Sequence, residues 1–91
     1  MPSQTIRIVN TRGLHARAAA QLVHLANTFS SDIELYCHNS QQRGNAKQIL
    51  DLLTLVATKD SEVTVSATGD DAATALHQLC RLIQNGFGEE N

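Results

Sequence analysis

One histidine stands where the sequence predicts the start of a helix. Gly13 permits a tight turn out of a preceding strand, and His15 comes directly before a run of helix formers that begins at Ala16. The first amides of a helix lack internal partners and carry the positive end of its dipole, which favours a neutral, nucleophilic imidazole. The same amides would face a phosphoryl group on the ring, and Arg17 can donate charge-assisted hydrogen bonds to it. This spacing predicts an activated histidine at an anion-binding helix end.

A histidine near a helix start also has a structural interpretation, as a cap or a surface residue. No Asp or Glu lies near His15 in the sequence, and no serine or cysteine is placed beside it as a nucleophile. The constellations of hydrolases are therefore disfavoured. The other histidines lack metal-ligand spacing, so no metal site is predicted. The residue types and their spacing alone indicate an activated histidine, but they do not indicate which reaction it takes part in.

Length and composition narrow the range of functions. A chain of 91 residues predicts a single domain, 1–91, with a thin core and no deep substrate cavity. The net charge of −2 gives no indication of nucleic acid as a partner, and no apolar run predicts membrane insertion. The N-terminus lacks a signal-peptide pattern, so we expect a cytoplasmic protein. Cys37 and Cys80 are expected to be reduced and buried, with a disulfide as the alternative.

Hydrophobic periodicity predicts the elements that position His15. Alternating strands are expected over 5–10, 33–38 and 63–67, and part of the polar segment 39–44 can form another. A first helix is expected over 16–28, and a last helix from Asp70–Asp71 to about Asn85–Gly86. The tail after it is expected to fray apart from Phe87. Because each strand has one apolar face, the helices should cover one side of an antiparallel sheet.

The second predicted helix begins with a capping box. Asn45 caps the first turn, and Gln48 reaches back to the Asn45 amide. The expected apolar faces of the three helices are, in order, Ala19, Leu22, Val23 and Ala26; Ile49, Leu52, Leu53 and Val56; and Ala72, Leu76, Leu79 and Ile83.

Three blocks extend the interpretation beyond single residues: 13–19 (GLHARAA), 45–55 (NAKQILDLLTL) and 63–70 (VTVSATGD). In order and spacing they resemble the HPr family, the histidine-containing phosphocarriers of the phosphoenolpyruvate-dependent phosphotransferase system. The resemblance implies an α+β open-faced β-sandwich, with a four-stranded antiparallel sheet and three helices on one face. It implies that His15 takes a phosphoryl group on Nδ1 from enzyme I, assisted by Arg17, and passes it to IIA-type acceptors. It further implies a stoichiometric carrier rather than an enzyme, a monomer, and no cofactor.

A docking surface for these partners is expected beside the histidine. Helical counting places small residues of the first helix on the flank that carries Arg17, and Leu50 off the main face of the second helix. The alternative is that the alanines are helix formers and Leu50 fills the edge of the core. We define the predicted docking surface as Ala16, Ala20, His24, Gln48, Ile49, Leu50 and Leu53.

The chain departs from the family pattern at several positions. Ala18 replaces a usual proline, Gln48 replaces a regulatory serine, and His24 and Asn27 replace basic residues that often face enzyme I. The segment 37–45 is longer than in typical members by about two residues, which is a change of loop length. The sugar-uptake and nitrogen-related branches of the family both stay open. So does a regulatory binding module switched by phosphorylation of His15, and, more remotely, a ferredoxin-like sensor domain.

Overall fold

A computed structural model describes residues 2–89. Its elements follow the predicted order of strand, helix, strand, strand, helix, strand, helix. They are β1 (Ser3–Arg7), α1 (Ala16–Ala26), β2 (Asp32–Cys37), β3 (Gln42–Asn45), α2 (Ile49–Leu53), β4 (Glu62–Thr68) and α3 (Ala72–Gln84), followed by a 3-10 turn (Gly86–Gly88).

The strands form one antiparallel sheet in the order β1-β4-β2-β3. Leu35 at the centre of β2 lies opposite Val65 of β4, and both side chains are fully buried. Their neighbours along the strands, Glu34 and Thr64, lie on the other face and stay partly exposed. This alternation is that of a sheet with one face covered by helices. The predicted α+β open-faced sandwich is therefore confirmed.

The first strand is shorter at its end than predicted. β1 ends at Arg7 rather than Asn10, although Ile8 is still fully buried. The Ile8 amide donates to the Ser61 carbonyl (2.9 Å), and the Asp60 amide donates to the Ile8 carbonyl (2.7 Å). These two bonds join the chain after β1 to the segment before β4, so the side-chain alternation extends beyond the strand itself.

The predicted capping box of the second helix is wrong. Asn45 lies in β3, and Gln48 is the N-cap of α2 but makes no side-chain capping bond. The Asn45 amide donates to the Asp51 carboxylate (3.0 Å), and the Asn45 side-chain oxygen accepts from the Lys47 amide (2.9 Å). Asp51 takes the place expected for Gln48 because an ionised carboxylate is a stronger acceptor than a neutral amide.

The predicted apolar face of this helix is also partly wrong. Leu52 is buried, whereas Ile49 and Leu53 are each 37% exposed and Val56 is 67% exposed. α2 ends at Leu53, so helical periodicity does not carry on to Val56. Leu55, which the periodicity did not select, is fully buried in its place. Val56 has a positive φ of 53°, a conformation that a β-branched residue rarely adopts.

The other two helices bury nearly the expected faces. In α1, Ala19, Leu22 and Ala26 are buried and Val23 is partly buried. In α3, Ala72, Leu79 and Ile83 are buried as predicted; Leu76 is only partly buried, and the structure adds Ala75 and Cys80. Both cysteines are buried free thiols, which confirms the first interpretation and excludes a disulfide between them.

Asp71 at the start of α3 acts differently from the expectation based on charge alone. Its carboxylate makes no bond to its own helix and instead accepts from the Ser30 amide (2.9 Å), the Ser31 amide (2.9 Å) and the Ser31 hydroxyl. These bonds lower the pKa of Asp71 from 3.8 to about 2, with the Ser31 hydroxyl the main cause. Asp71 thus joins the link between α1 and β2 to the start of α3.

Candidate functional site

The site is built on the turn that leads from β1 into α1. The Gly13 amide donates to the Asn10 carbonyl (3.1 Å), and Gly13 has a φ of 66°. A Cβ atom at Gly13 would lie 2.6 Å from the Ala57 carbonyl oxygen, so only glycine fits here. The next residue, Leu14, is buried and its amide donates to the same Ala57 carbonyl (2.8 Å). The turn therefore delivers His15 to the helix start in one fixed orientation.

His15 is the N-cap of α1, as the sequence predicts. Its backbone is extended (φ −79°, ψ 177°) and its carbonyl accepts from the Ala19 amide (2.8 Å). The imidazole makes no capping bond to the helix, so the structural interpretation of the side chain as a cap is wrong. The side chain is 15% exposed, so the ring is partly buried at the helix start.

A carboxylate covers one edge of the ring. Nε2 of His15 contacts Oε2 of Glu89, which comes from the other end of the chain. The second oxygen of Glu89 accepts from the Asn10 side-chain amide (2.9 Å), and the same Asn10 nitrogen donates to the Gly13 carbonyl (2.8 Å). The sequence-based expectation that no acidic residue attends His15 is wrong, because it considered only neighbours along the chain.

These contacts lower the pKa of Glu89. The hydrogen bond from Asn10 is the largest cause, followed by the bond from His15, and the charges of His15 and Arg12 act in the same direction. Partial burial acts against them but is the weaker influence. Glu89 is therefore ionised at neutral pH and accepts hydrogen bonds through both oxygens.

The C-terminal segment is ordered up to this carboxylate. Phe87 is buried, as expected, but Gly88 and Glu89 follow it in a turn closed by the bond from the Glu89 amide to the Gly86 carbonyl (3.0 Å). The predicted fraying is wrong for these two residues, because the buried Phe87 and the turn fix them. Glu90 and Asn91 lie outside the described residues.

The remaining predicted site residues lie on α1 and on α2 with its N-cap. Arg17 is exposed in the first turn of α1 and forms no ion pair or hydrogen bond within residues 2–89. Ala16 and Ala20 are exposed on the same helix, which packs against α2, where Leu50 is 74% exposed. His24 is also exposed but lies in the last turn of α1, about 13 Å from the helix start by the rise per residue.

Two members of the site, Asn10 and Glu89, were not found from the sequence. Glu89 is 74 positions from His15, and no local pattern joins them. The available signal was Phe87 between two glycines, since an apolar residue flanked by flexible ones in a polar tail indicates a segment that folds back. The alternation predicts Asn10 as the last residue of a strand, and a strand gives no reason for its side chain to point to the turn.

Among residues 2–89, no group of three or more His, Cys, Asp or Glu side chains is arranged to hold a metal ion. Within the same residues, no helix has the length and apolar character needed to cross a membrane.

Comparisons with known proteins show which family this chain resembles. The family model described as the PTS HPr component phosphorylation site matches residues 2–85. Phosphocarrier protein HPr of Treponema pallidum is 39% identical over 90 residues, which cover 99% of this chain and all of that protein. The crystal structure of HPr-C-His from Thermoanaerobacter tengcongensis covers the whole of both chains at 42% identity, with a TM-score of 0.92. An HPr dimer from that organism covers 98% of this chain and 100% of its own, with a TM-score of 0.75.

The fold and the histidine at the start of α1 define a small phosphocarrier of the open-faced sandwich type. The chain belongs to the HPr family of the phosphotransferase system, and its function is that of a phosphocarrier.

Proposed function

We propose that His15 is the residue that accepts the phosphoryl group and passes it on, with enzyme I as donor and IIA-type proteins as acceptors. The observation that carries the proposal is the difference in contacts between the two ring nitrogens of His15. One nitrogen, Nε2, contacts the Glu89 carboxylate, while Nδ1 has no hydrogen bond to another residue in the range 2–89. A nitrogen with a free lone pair is what a nucleophile requires.

The transfer itself needs position and charge more than covalent chemistry. The Nδ1 lone pair forms the new N–P bond while the bond from phosphorus to the donor breaks, and the donor atom keeps that electron pair. No proton has to move, because the ring hydrogen stays on Nε2. The negative oxygens of the phosphoryl group then gain hydrogen bonds from the α1 amides, and we assign the exposed guanidinium of Arg17 to the same task.

The protein is proposed to act as a stoichiometric carrier, not as an enzyme with a substrate of its own. Its partners are proposed to dock on the surface predicted above, where Ile49, Leu50 and Leu53 are exposed beside the alanines of α1. Exposed apolar side chains next to a reactive group are typical of a protein interface. A cytoplasmic monomer is proposed as the working form, and sedimentation at micromolar concentration tests this against the dimer solved for a relative.

The direct test is phosphorylation by enzyme I, phosphoenolpyruvate and Mg²⁺, followed by intact mass. One acid-labile phosphate is expected on the natural protein and on His77→Ala, which removes an exposed histidine of α3 outside the docking surface. None is expected on His15→Ala. Acid-labile phosphate that persists on His15→Ala would refute the assignment. Side-by-side transfer to a sugar-type and a nitrogen-type IIA domain distinguishes the two branches of the family.

A further inference from the structure

The contact between the first and last parts of the chain at His15 has a chemical consequence. A carboxylate with a lowered pKa is ionised at neutral pH and has no hydrogen to donate. The hydrogen of the Glu89–His15 contact must therefore belong to Nε2 of the ring. A neutral imidazole carries one hydrogen, so Nδ1 is left as the nitrogen with the lone pair. The contact thus selects the tautomer that the proposed transfer requires.

The carboxylate is held where it can do this. Its Oε1 accepts from Asn10, a fully buried side chain whose amide nitrogen also donates to the Gly13 carbonyl (2.8 Å). The backbone on the other side is fixed by Phe87, which is 3% exposed, and by the turn that follows it. Both carboxylate oxygens are therefore occupied, and the Glu89 side chain is 14% exposed. An arrangement of this kind orients a histidine in the way that carboxylates orient metal-bound imidazoles.

We propose that Glu89 is a positioning residue for phosphoryl transfer, fixing the Nε2–H tautomer of His15 and balancing the charge of the ring. The proposal rests on the function assigned to His15. When Nδ1 forms its bond to phosphorus, the ring keeps its Nε2 hydrogen and gains positive charge. The adjacent carboxylate stabilises that charge, and when the phosphoryl group leaves, the bonding pair returns to Nδ1. Glu89 itself does not touch the transferred group.

The structure also separates this role from a structural one. Glu89 is partly exposed, lies after the last helix and contributes no apolar surface to the core. Removing its side chain should leave folding intact while freeing the ring. Asp70 is a matched control, because it is exposed and lies at the start of α3, where Asp71 contacts Ser30 beyond the other end of α1. Asp70→Asn removes the same charge far from His15.

The test combines ring NMR with transfer kinetics on Glu89→Ala, Glu89→Gln and Asp70→Asn. The ¹⁵N shifts of His15 report the tautomer directly. For the natural protein and Asp70→Asn we expect almost only Nε2–H above neutral pH. For Glu89→Ala the Nδ1–H form should rise to its level in free histidine. Its transfer rate from phosphorylated enzyme I should fall about tenfold, the low end of what carboxylate partners of histidine contribute at metal sites. Glu89→Gln should lie between the two.

The outcomes distinguish this inference from the function on which it rests. An unchanged tautomer and an unchanged transfer rate in Glu89→Ala, with His15→Ala still inactive, would overturn the role of Glu89 alone. Acid-labile phosphate on His15→Ala would overturn both. A slower rate with an unchanged tautomer would overturn the tautomer role, since the carboxylate would then act only by balancing the charge of the ring. Urea unfolding of each variant checks that the loss is not one of stability.

Discussion

The amide of Leu14 donates to the carbonyl of Ala57 at 2.8 Å, so the residue before His15 is held by the segment that follows α2. The same carbonyl lies 2.6 Å from the position that a Cβ atom of Gly13 would take. One peptide group therefore fixes both the conformation of the turn and its distance from the second helix. Because of this contact, substitutions just after α2 can alter the position of His15.

Val56 lies directly before that carbonyl, and its exchange for glycine should stabilise the protein. A non-glycine residue in the left-handed region costs about 1–2 kcal/mol, and its φ is 53°. Val56→Gly removes this strain and loses little buried surface. Part of the gain in stability is offset because glycine has more conformational freedom in the unfolded chain. We expect the free energy of unfolding to rise by about 0.5–1 kcal/mol in urea titration. Val9→Gly is the control, since Val9 has no positive φ and the exchange should destabilise. A loss of stability in Val56→Gly would show that the valine makes contacts that outweigh the strain.

Much of the fold followed from the sequence because its signals are local. The alternation around Leu35 and Val65 and the helical face of α1 depend on residues within one or two turns of each other. The start of α2 did not follow, because the side chains of both Gln48 and Asp51 can accept from the Asn45 amide. That Asp51 accepts the bond is known only once β3 lies against α2. Glu89 did not follow either, because a contact across 74 positions leaves no periodic trace.

Arg17 should matter for transfer and little for folding. It is exposed and makes no ion pair within residues 2–89, so Arg17→Ala should change the free energy of unfolding by less than about 1 kcal/mol. The rate of transfer from phosphorylated enzyme I should fall at least tenfold, because a charge-assisted bond to the phosphoryl oxygens is lost. Arg7→Ala, an exposed arginine of β1, is the control and should leave the rate unchanged. A strongly destabilised variant with a normal rate would make Arg17 a structural residue.

Leu50 tests the docking surface. It is 74% exposed, so Leu50→Ser should alter the free energy of unfolding by less than about 0.5 kcal/mol. If partners bury Leu50, its substitution should cost more than about 1 kcal/mol of binding free energy. In the enzyme I reaction the KM for the variant should then rise by about tenfold, while kcat changes little. Gln78→Ala on the exposed side of α3 serves as the control. Equal KM values for the natural protein and Leu50→Ser would remove Leu50 from the interface.

Asp71 should make stability depend on pH in the acid range. Its pKa in the folded protein is about 2, lowered from 3.8, so the folded state favours the ionised form. The stabilisation is complete above the unfolded pKa and is lost as the pH falls through the folded one, between about pH 4 and pH 2. Asp71→Asn should therefore unfold at lower urea concentration than the natural protein at pH 6, with the difference shrinking towards pH 2. Asp70→Asn is the control for the loss of one negative charge, since Asp70 is exposed and makes none of these hydrogen bonds. A difference that does not vary between pH 6 and pH 2 would contradict the role of the Asp71 hydrogen bonds.

Gln48 predicts that the serine-kinase switch of part of the HPr family is absent from this chain. Glutamine stands where the resemblance places the regulatory serine and offers no hydroxyl to phosphorylate. It is exposed in extended backbone (φ −124°, ψ 113°) and its side chain caps nothing, so Gln48→Ser should change stability by less than about 1 kcal/mol.

The measurement is incubation with an HPr kinase and ATP, read by intact mass and peptide mapping. The natural protein should gain no phosphate in the second helix, whereas Gln48→Ser should gain one group and about two negative charges beside Leu50. That charge should weaken binding to an acidic enzyme I, whereas binding by the natural protein should not change on incubation with the kinase. Thr54 is the nearest alternative acceptor, but its hydroxyl donates to the Asp51 carbonyl (2.7 Å) and is held against the helix end. Stoichiometric phosphate on Thr54 of the natural protein would contradict the prediction. It would show that the kinase can break the bond from the Thr54 hydroxyl to the Asp51 carbonyl, and that the switch has moved to a new residue.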